Sequence, residues 1–421
     1  MKNITVCIGA NYGDEGKGKT ISAFVLKSTK STAVVRFNGG AQAGHTVVTN
    51  GYRHVCSHFG AAVLQDVPTI LTSDFVVHPY LFLVERKELM AKGIFGPTLI
   101  VSPDCLVSTP WDVMLNQVAE RARSKNRHGS VGVGFGETIQ RSQTLPLLVS
   151  DLQDLKKVKS ILNTIVSEYI PTRLRELGIP GGKIGDEWGR LYFEENHNVN
   201  LKFIEQCDFF VKKTSLMDER SAFEKFDRLL FEGAQGLALD QNSEDFPFVT
   251  RSNTGVTNVV AALKRAGIEQ NKVDLYYVTR PYLTRHGAGP LVGERTDMSE
   301  YFEIEDQTNV TKEFQGSLRF AFQNINKLAD RINADLAKIP SEMVNVIGLS
   351  VTCVDQLVGK KFLCILDNKK IELDVLEFTV EVFKKINSNA NLKAFWSFDE
   401  NSNMYTVPAI NLNAFLPFRA K

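Results

Sequence analysis

The chain has 421 residues, enough to bury a large core as one α/β domain or two smaller ones. Its 49 Lys and Arg against 48 Asp and Glu leave a formal net charge of +1, so no global basic field exists to attract nucleic acid or a membrane surface. No apolar run approaches bilayer length and no signal-peptide pattern precedes the first strand, so the expectation is a cytoplasmic, enzyme-sized protein.

In chain order, Ile4 to Ile8 is an apolar, β-branched run that predicts a buried strand. Residues 13–20 then match the phosphate-loop pattern G-x-x-x-x-G-K-[ST], with Lys17 and Lys19 adding positive charge. Glycines there let the backbone approach a phosphate, and the N–H groups opening the next helix, predicted from Thr20 to Lys27, point at the anion. Two carboxylates, Asp14 and Glu15, sit inside the loop. Acids beside a polyanion are costly unless they bind a metal or move protons, so they point to catalysis.

Ala33 to Phe37 predicts a second buried strand, followed by a second glycine-rich loop from Asn38 to Thr46. Ligands of open α/β sheets bind beyond the carboxyl ends of strands, so the two loops are expected to converge. His45, flanked by Gly44 and Thr46, has little to pack against and makes a candidate acid–base pair with Asp14. His54, Cys56 and His58 fall on one face of a strand. Their ligand types fit zinc loosely, but no fourth ligand is evident nearby, and a metal site there is disfavoured.

Further strands are expected at Thr98–Val101, Leu229–Phe231, Val273–Val278 and Val344–Val351, with helical patterns between them. A third glycine-rich segment spans Gly129 to Gly136 and a fourth, Glu232 to Gly236, follows the strand Leu229–Phe231. Gln235 offers an amide for a nucleobase edge, Thr250 a hydroxyl for a phosphate, and Arg285 a fixed cation. Ile325, Leu328, Ala329, Ile332 and Leu336 form a helical stripe read as core. Phe362–Leu366 and Lys370–Val375 suggest a hairpin about Asp367-Asn368. Residues 376–421 have no clear placement. The six cysteines include no C-x-x-C pair, and Cys7, Cys353 and Cys364 lie in apolar runs that predict reduced core residues. The fold class is α/β: one domain over 1–421 with a large, mainly parallel central sheet flanked by helices, a helix-rich insertion at 151–228, and a small C-terminal β segment.

As a set, residues 13–19, 39–46, 232–236, 248–253 and 284–290 resemble, in order, the signatures of adenylosuccinate synthetases. The resemblance implies a cytoplasmic homodimer and a ligase of purine biosynthesis that joins L-aspartate to C6 of IMP, driven by GTP with Mg2+, through a 6-phosphoryl intermediate. Oxygen at C6 leaves poorly, and phosphorylating it lets the amine displace phosphate. By the same resemblance Asp14 is the base at purine N1 and His45 the acid that stabilises the moving phosphoryl group. Gly13, Glu15, Gly16, Lys17, Gly18, Lys19 and Thr46 bind phosphate, and Asp14 with the Gly44 carbonyl holds the metal. Gln42, Ser130, Val131, Gln235 and Thr250 line the purine nucleotide, Arg285 and Arg319 the aspartate, and Asp355 the base of the phosphate donor.

Departures from the family pattern keep alternatives open. Gln42 stands for Asn, Ser130-Val131 for Thr-Thr, Cys353 for Lys, and the arginine-rich aspartate loop retains only Arg319. ATP is the alternative donor. Several motifs, residues 280–290 among them, are closer to the archaeal branch and its bacteriophage relatives, which make 2-amino-deoxyadenylosuccinate from dGMP. That branch generally replaces the loop aspartate, whereas Asp14 is present here, which favours IMP. A nucleotide-binding regulator without turnover is the rival from another class.

Overall fold

Six of the seven residues of Asn3–Gly9 (β1) are buried. Ile4, Val6 and Ile8 join one apolar layer and Cys7 another, so an uninterrupted apolar run is what a strand covered on both faces requires. The computed structural model describes residues 2–26, 30–49, 51–180, 184–304, 313–396 and 405–406. In chain order the central sheet continues with Thr32–Arg36 (β2), Thr69–Leu71 (β3), Leu99–Val101 (β4), Ser215–Leu216 (β5) and Arg228–Gly236 (β6). Val273–Thr279 (β7), Val344–Val351 (β8), Asn391–Trp396 (β9) and Tyr405–Thr406 (β10) complete it. The spatial order is β10-β9-β8-β7-β1-β6-β2-β3-β4-β5, parallel throughout except for the β9–β10 pair. β1 lies between β6 and β7, so the loops leaving β1, β2, β6, β7 and β8 open at one edge of the sheet.

Four sequence expectations change. The strand expected to end at Phe231 runs on through Glu232–Gly236: β6 pairs Gly236 with Gly9 across an irregularity in β1. The hairpin's second strand is Lys369–Leu373, because Asp374 caps the next helix, Val375–Lys384, by accepting from Glu377 N. Its turn places Asp367 and Asn368 at φ 48° and 62°, the left-handed pair that a tight hairpin needs. Cys353 leaves the core for a half-exposed turn with φ 54°, and all six cysteines are free thiols. The chain beyond 376 also completes the helix Val375–Lys384 and adds β9, paired between β8 and the edge strand β10, where Leu392 and Ala394 are buried. The expected stripe holds: Ile325, Leu328, Ala329 and Ile332 are buried on the helix Ile325–Leu336.

A second, smaller sheet carries Tyr282–Arg285, Glu294–Arg295, Arg319–Asn324 and the hairpin. The 151–228 stretch is helical, with β5 tying it to the sheet edge. It docks on the helix Pro110–Arg123 through Trp111 Nε1 donating to Asn200 Oδ1 (2.8 Å) and Trp188 Nε1 donating to Gln117 Oε1 (2.9 Å). Thr109 and Asp112 cap that helix, and the buried Asp112 also takes two hydrogen bonds from Arg141 (2.9 and 3.0 Å). This fixes the helix Phe135–Ser142, and with it the glycine segment 129–136.

Candidate active site

Beyond the strand ends lies a cavity of about 490 Å³. The phosphate loop, the second glycine loop, segment 129–136 and residues 246–251 all contribute walls. Inside the phosphate loop the two carboxylates point apart. Glu15 is buried and accepts from Asn11 N (3.1 Å) and Gly13 N (2.7 Å), while Lys17 Nζ reaches its Oε2 (3.4 Å) and the Gly13 carbonyl (2.7 Å). Glu15 thus holds the loop's shape from within. Asp14 instead faces the cavity, with Oδ2 3.8 Å from His286 Nε2.

His45 is the best-defined polar group. It donates from Nδ1 to Glu232 Oε1 at 2.5 Å, and Glu232 Oε2 accepts from Ala61 N at 2.9 Å. Burial lowers the imidazole pKa from its ordinary 6.5 to about 4; Glu232 opposes this and the Arg36 charge reinforces it. Burial pushes the Glu232 carboxyl up, but the imidazole, Arg36 and the Ala61 N–H outweigh it and hold the group below its usual range. The pair is therefore carboxylate and neutral imidazole. With its proton on Nδ1, His45 presents Nε2 to the cavity wall, where among the described residues it has no hydrogen-bond partner.

Gln42 lines the same cavity with both amide atoms buried and unpartnered among the described residues. A buried amide in that state is poised for a ligand. Gln235 lines it too, at φ 61°, a left-handed conformation in a non-glycine residue at the end of a strand. Gly236, next along, is obligatory: a Cβ there would lie 2.4 Å from the Asn11 carbonyl oxygen.

Of the expected residues, Gly13, Asp14, Gln42, Gly44, His45, Ser130, Val131, Gln235 and Thr250 share this cavity. Glu15, Gly16, Lys17, Gly18, Lys19 and Thr46 lie outside its lining. Gly16 packs against Thr352, whose hydroxyl donates to the Glu15 carbonyl (2.6 Å), so the end of β8 braces the phosphate loop. Asp355 is exposed in the turn just beyond. Arg285 and Arg319 lie outside the cavity lining as well. Arg285 is fully buried and bonds Asp245 (2.7 Å), the Pro290 carbonyl (2.7 Å) and the Phe248 carbonyl (2.8 Å). Arg319 bonds Glu294 (2.9 Å) and the Gly289 carbonyl (2.7 Å).

Sequence reading gave no role to Glu232, His286 or Arg251, the last two also on the cavity wall. Glu232 sits in a quoted motif, but only the sheet brings it to His45 across 187 positions. His54 and Cys56 do cluster, with Glu85 rather than with His58 as third member. Glu85 accepts from Ser57 N, Ser57 Oγ, His58 N and Phe59 N, and Cys56 Sγ donates to the Gly60 carbonyl (3.6 Å). That carboxylate is spent on backbone, and burial pushes the thiol pKa well up, which disfavours the thiolate a soft metal needs.

The family profile of adenylosuccinate synthetase matches residues 6–317. The adenylosuccinate synthetase of Cyanothece sp. is 31% identical over 303 residues, 70% of this chain; the matched stretch spans 64% of that relative's length, just under two thirds. Among solved structures, the fully ligated adenylosuccinate synthetase of Plasmodium falciparum superposes with TM-score 0.70 at 18% identity, covering 96% of this chain and 99% of that one. The succinoaminodeoxyadenylate synthetase of cyanophage S-2L, solved with dGMP and dATP, gives TM-score 0.58 at 15% identity and covers 99% of both chains. These two establish a shared fold, and the profile match, over well more than half the sequence, establishes descent: the chain belongs to the adenylosuccinate synthetase family.

Proposed function

We propose that the protein is a ligase that joins L-aspartate to C6 of a 6-oxopurine nucleotide, IMP by preference, at the expense of GTP. The observation that carries this is the His45–Glu232 pair on one wall of the cavity that Asp14 also faces. In this reading Asp14 takes the N1 proton of the purine and O6 attacks the γ-phosphorus of the triphosphate, releasing the diphosphate. The amine of aspartate then displaces phosphate at C6. Glu232 holds the imidazole with Nε2 toward the phosphoryl oxygens, and phosphate charge there favours a proton on His45.

Asp14 and Gly44 line the cavity together and offer a carboxylate and a carbonyl, oxygen donors that suit magnesium. When bound, the ion offsets the negative charge gathered between two nucleotides. The remaining assignments — Lys17 and Lys19 toward the donor phosphates, Asp355 toward the donor base, Arg285 and Arg319 toward aspartate — belong to the same proposal, as does a homodimeric state. Among the described residues no helix is long and apolar enough to cross a membrane.

The test is a mass-spectrometric panel with magnesium and L-aspartate, crossing IMP, dIMP, GMP and dGMP with GTP and ATP. An aspartate adduct on IMP is the expected product. An adduct chiefly on dGMP would replace IMP as acceptor and align the chain with the phage enzyme. No adduct on any nucleotide would overturn the ligase and favour the regulator, a reading consistent with the internal ion pairs of Arg285 and Arg319.

A further inference from the structure

The charges along the cavity wall cancel almost everywhere. Arg123 bonds Glu120 at 3.3 Å, and Arg173 bonds Glu137 through two hydrogen bonds of 2.8 and 3.0 Å. His45 faces Glu232 and His286 faces Asp14. A nucleotide phosphate entering such a wall would lose its water and gain no net positive charge.

Arg251 is the exception. It lines the cavity directly after Thr250, is half-buried, and among the described residues forms no ion pair. Its NH1 donates to a neutral acceptor, Gln140 Oε1, at 2.7 Å, which aims the guanidinium without neutralising it. Gln140 stands on the helix Phe135–Ser142 that anchors segment 129–136, and the Arg251 side chain passes over the start of that helix. A Cβ on Gly136 would come within 3.8 Å of Arg251 Cδ. The side chain is therefore held between two walls of the cavity. His128, on the same wall, registers the charge: burial first, then Arg123 and Arg251, with Glu120 opposing, draw its pKa below the ordinary value.

We infer that Arg251, with the Thr250 hydroxyl beside it, binds the 5′-phosphate of the acceptor purine nucleotide and makes the cavity select a monophosphate over the free nucleoside. A planar guanidinium with unspent donors matches a phosphate through two parallel hydrogen bonds, which a lysine cannot reproduce. The assignment rests on the reading of this cavity as the acceptor-nucleotide site. Arg251 lies on the Gln140 side of the cavity, whereas the donor triphosphate is assigned to the loop that carries Lys17 and Lys19.

The experiment measures calorimetric affinities of the full-length protein and of Arg251→Met for IMP, dGMP, inosine and deoxyguanosine, and for GTP as a control. Losing charge-assisted hydrogen bonds weakens monophosphate binding by about 10- to 100-fold. Nucleoside and GTP affinities stay within about twofold, so the monophosphate-to-nucleoside ratio collapses. Arg251→Lys, which keeps the charge and the bulk, gives an intermediate loss and serves if the methionine variant does not fold. An unchanged ratio in both variants would overturn the assignment while leaving the nucleotide site standing. A parent protein that binds nucleoside and monophosphate equally would overturn the site reading itself, and this inference with it.

Discussion

At the scale of single residues, the chemistry depends on which charges are spent and which are left facing the cavity. Glu232 is the clearest case, because one carboxylate orients His45 with one oxygen and takes the Ala61 N–H with the other. Glu232→Gln leaves an amide NH2 opposed to one of those two donors and removes the charge that supports the imidazolium. The expected result is a fall in kcat of about 10²- to 10⁴-fold, with KM for both nucleotides nearly unchanged. A kcat within about threefold of the parent would remove His45 from the proton chemistry. The same histidine also couples stability to pH. Its folded-state pKa, about 4, lies below the ordinary 6.5, so the unfolded chain binds the extra proton between those values. Stability from the neutral imidazole is complete above pH 6.5 and drains away as the pH falls toward 4, at about 1.4 kcal/mol per pH unit. Denaturant titrations of the parent and His45→Gln at pH 5 and pH 7 should show the variant's slope smaller by about one proton. Equal slopes would mean that the imidazole titrates alike in both states.

At the scale of elements, β6 and the phosphate loop form one unit. The strand carries Glu232 up to the bend where its register with β1 shifts and Gln235 and Gly236 past it, and the loop packs on it with no space to spare. Gly236→Ala would drive a methyl group into the Asn11 carbonyl, on backbone that cannot swing aside. The expected outcome is at least a tenfold weaker affinity for the triphosphate, read by calorimetry, with the far-ultraviolet circular dichroism retained. Unaltered triphosphate binding would show that the loop shifts freely. The element boundaries explain much of what sequence reading missed here. An apolar run announces a strand only while its residues are apolar, and β6 continues as strand through Glu-Gly-Ala-Gln-Gly because β1 pairs with it again at Gly236 and Asn38 Oδ1 accepts from Ala234 N in between.

At the scale of the whole molecule, the 151–228 insertion is part of the cavity wall. Arg173 reaches from the helix Ile170–Glu176 to Glu137 on the helix Phe135–Ser142, with both side chains nearly buried. Breaking a pair of this kind strands a charge, so Arg173→Met is expected to cost about 3 kcal/mol, while pairing it with Glu137→Gln restores most of the loss. Chemical denaturation of the two single variants and the double variant checks this. Additive losses would mean that the two residues act independently.

The sequence alone determined the α/β class, the two glycine loops that contribute to the cavity wall, and Asp14 and His45 as residues that face it. Each is carried locally, by a run of apolar residues, by glycines that permit one backbone path, or by a motif a few residues long. Only the tertiary structure decided which charges neutralise which. The partners of His45, Arg173 and Arg285 come from 187, 36 and 40 positions away, and proximity of that kind exists only once the sheet and its helices have packed. The same cause placed Glu15 and Asp14, neighbours in one motif, in opposite roles. One carboxylate found backbone donors within the loop and the other was left facing the cavity.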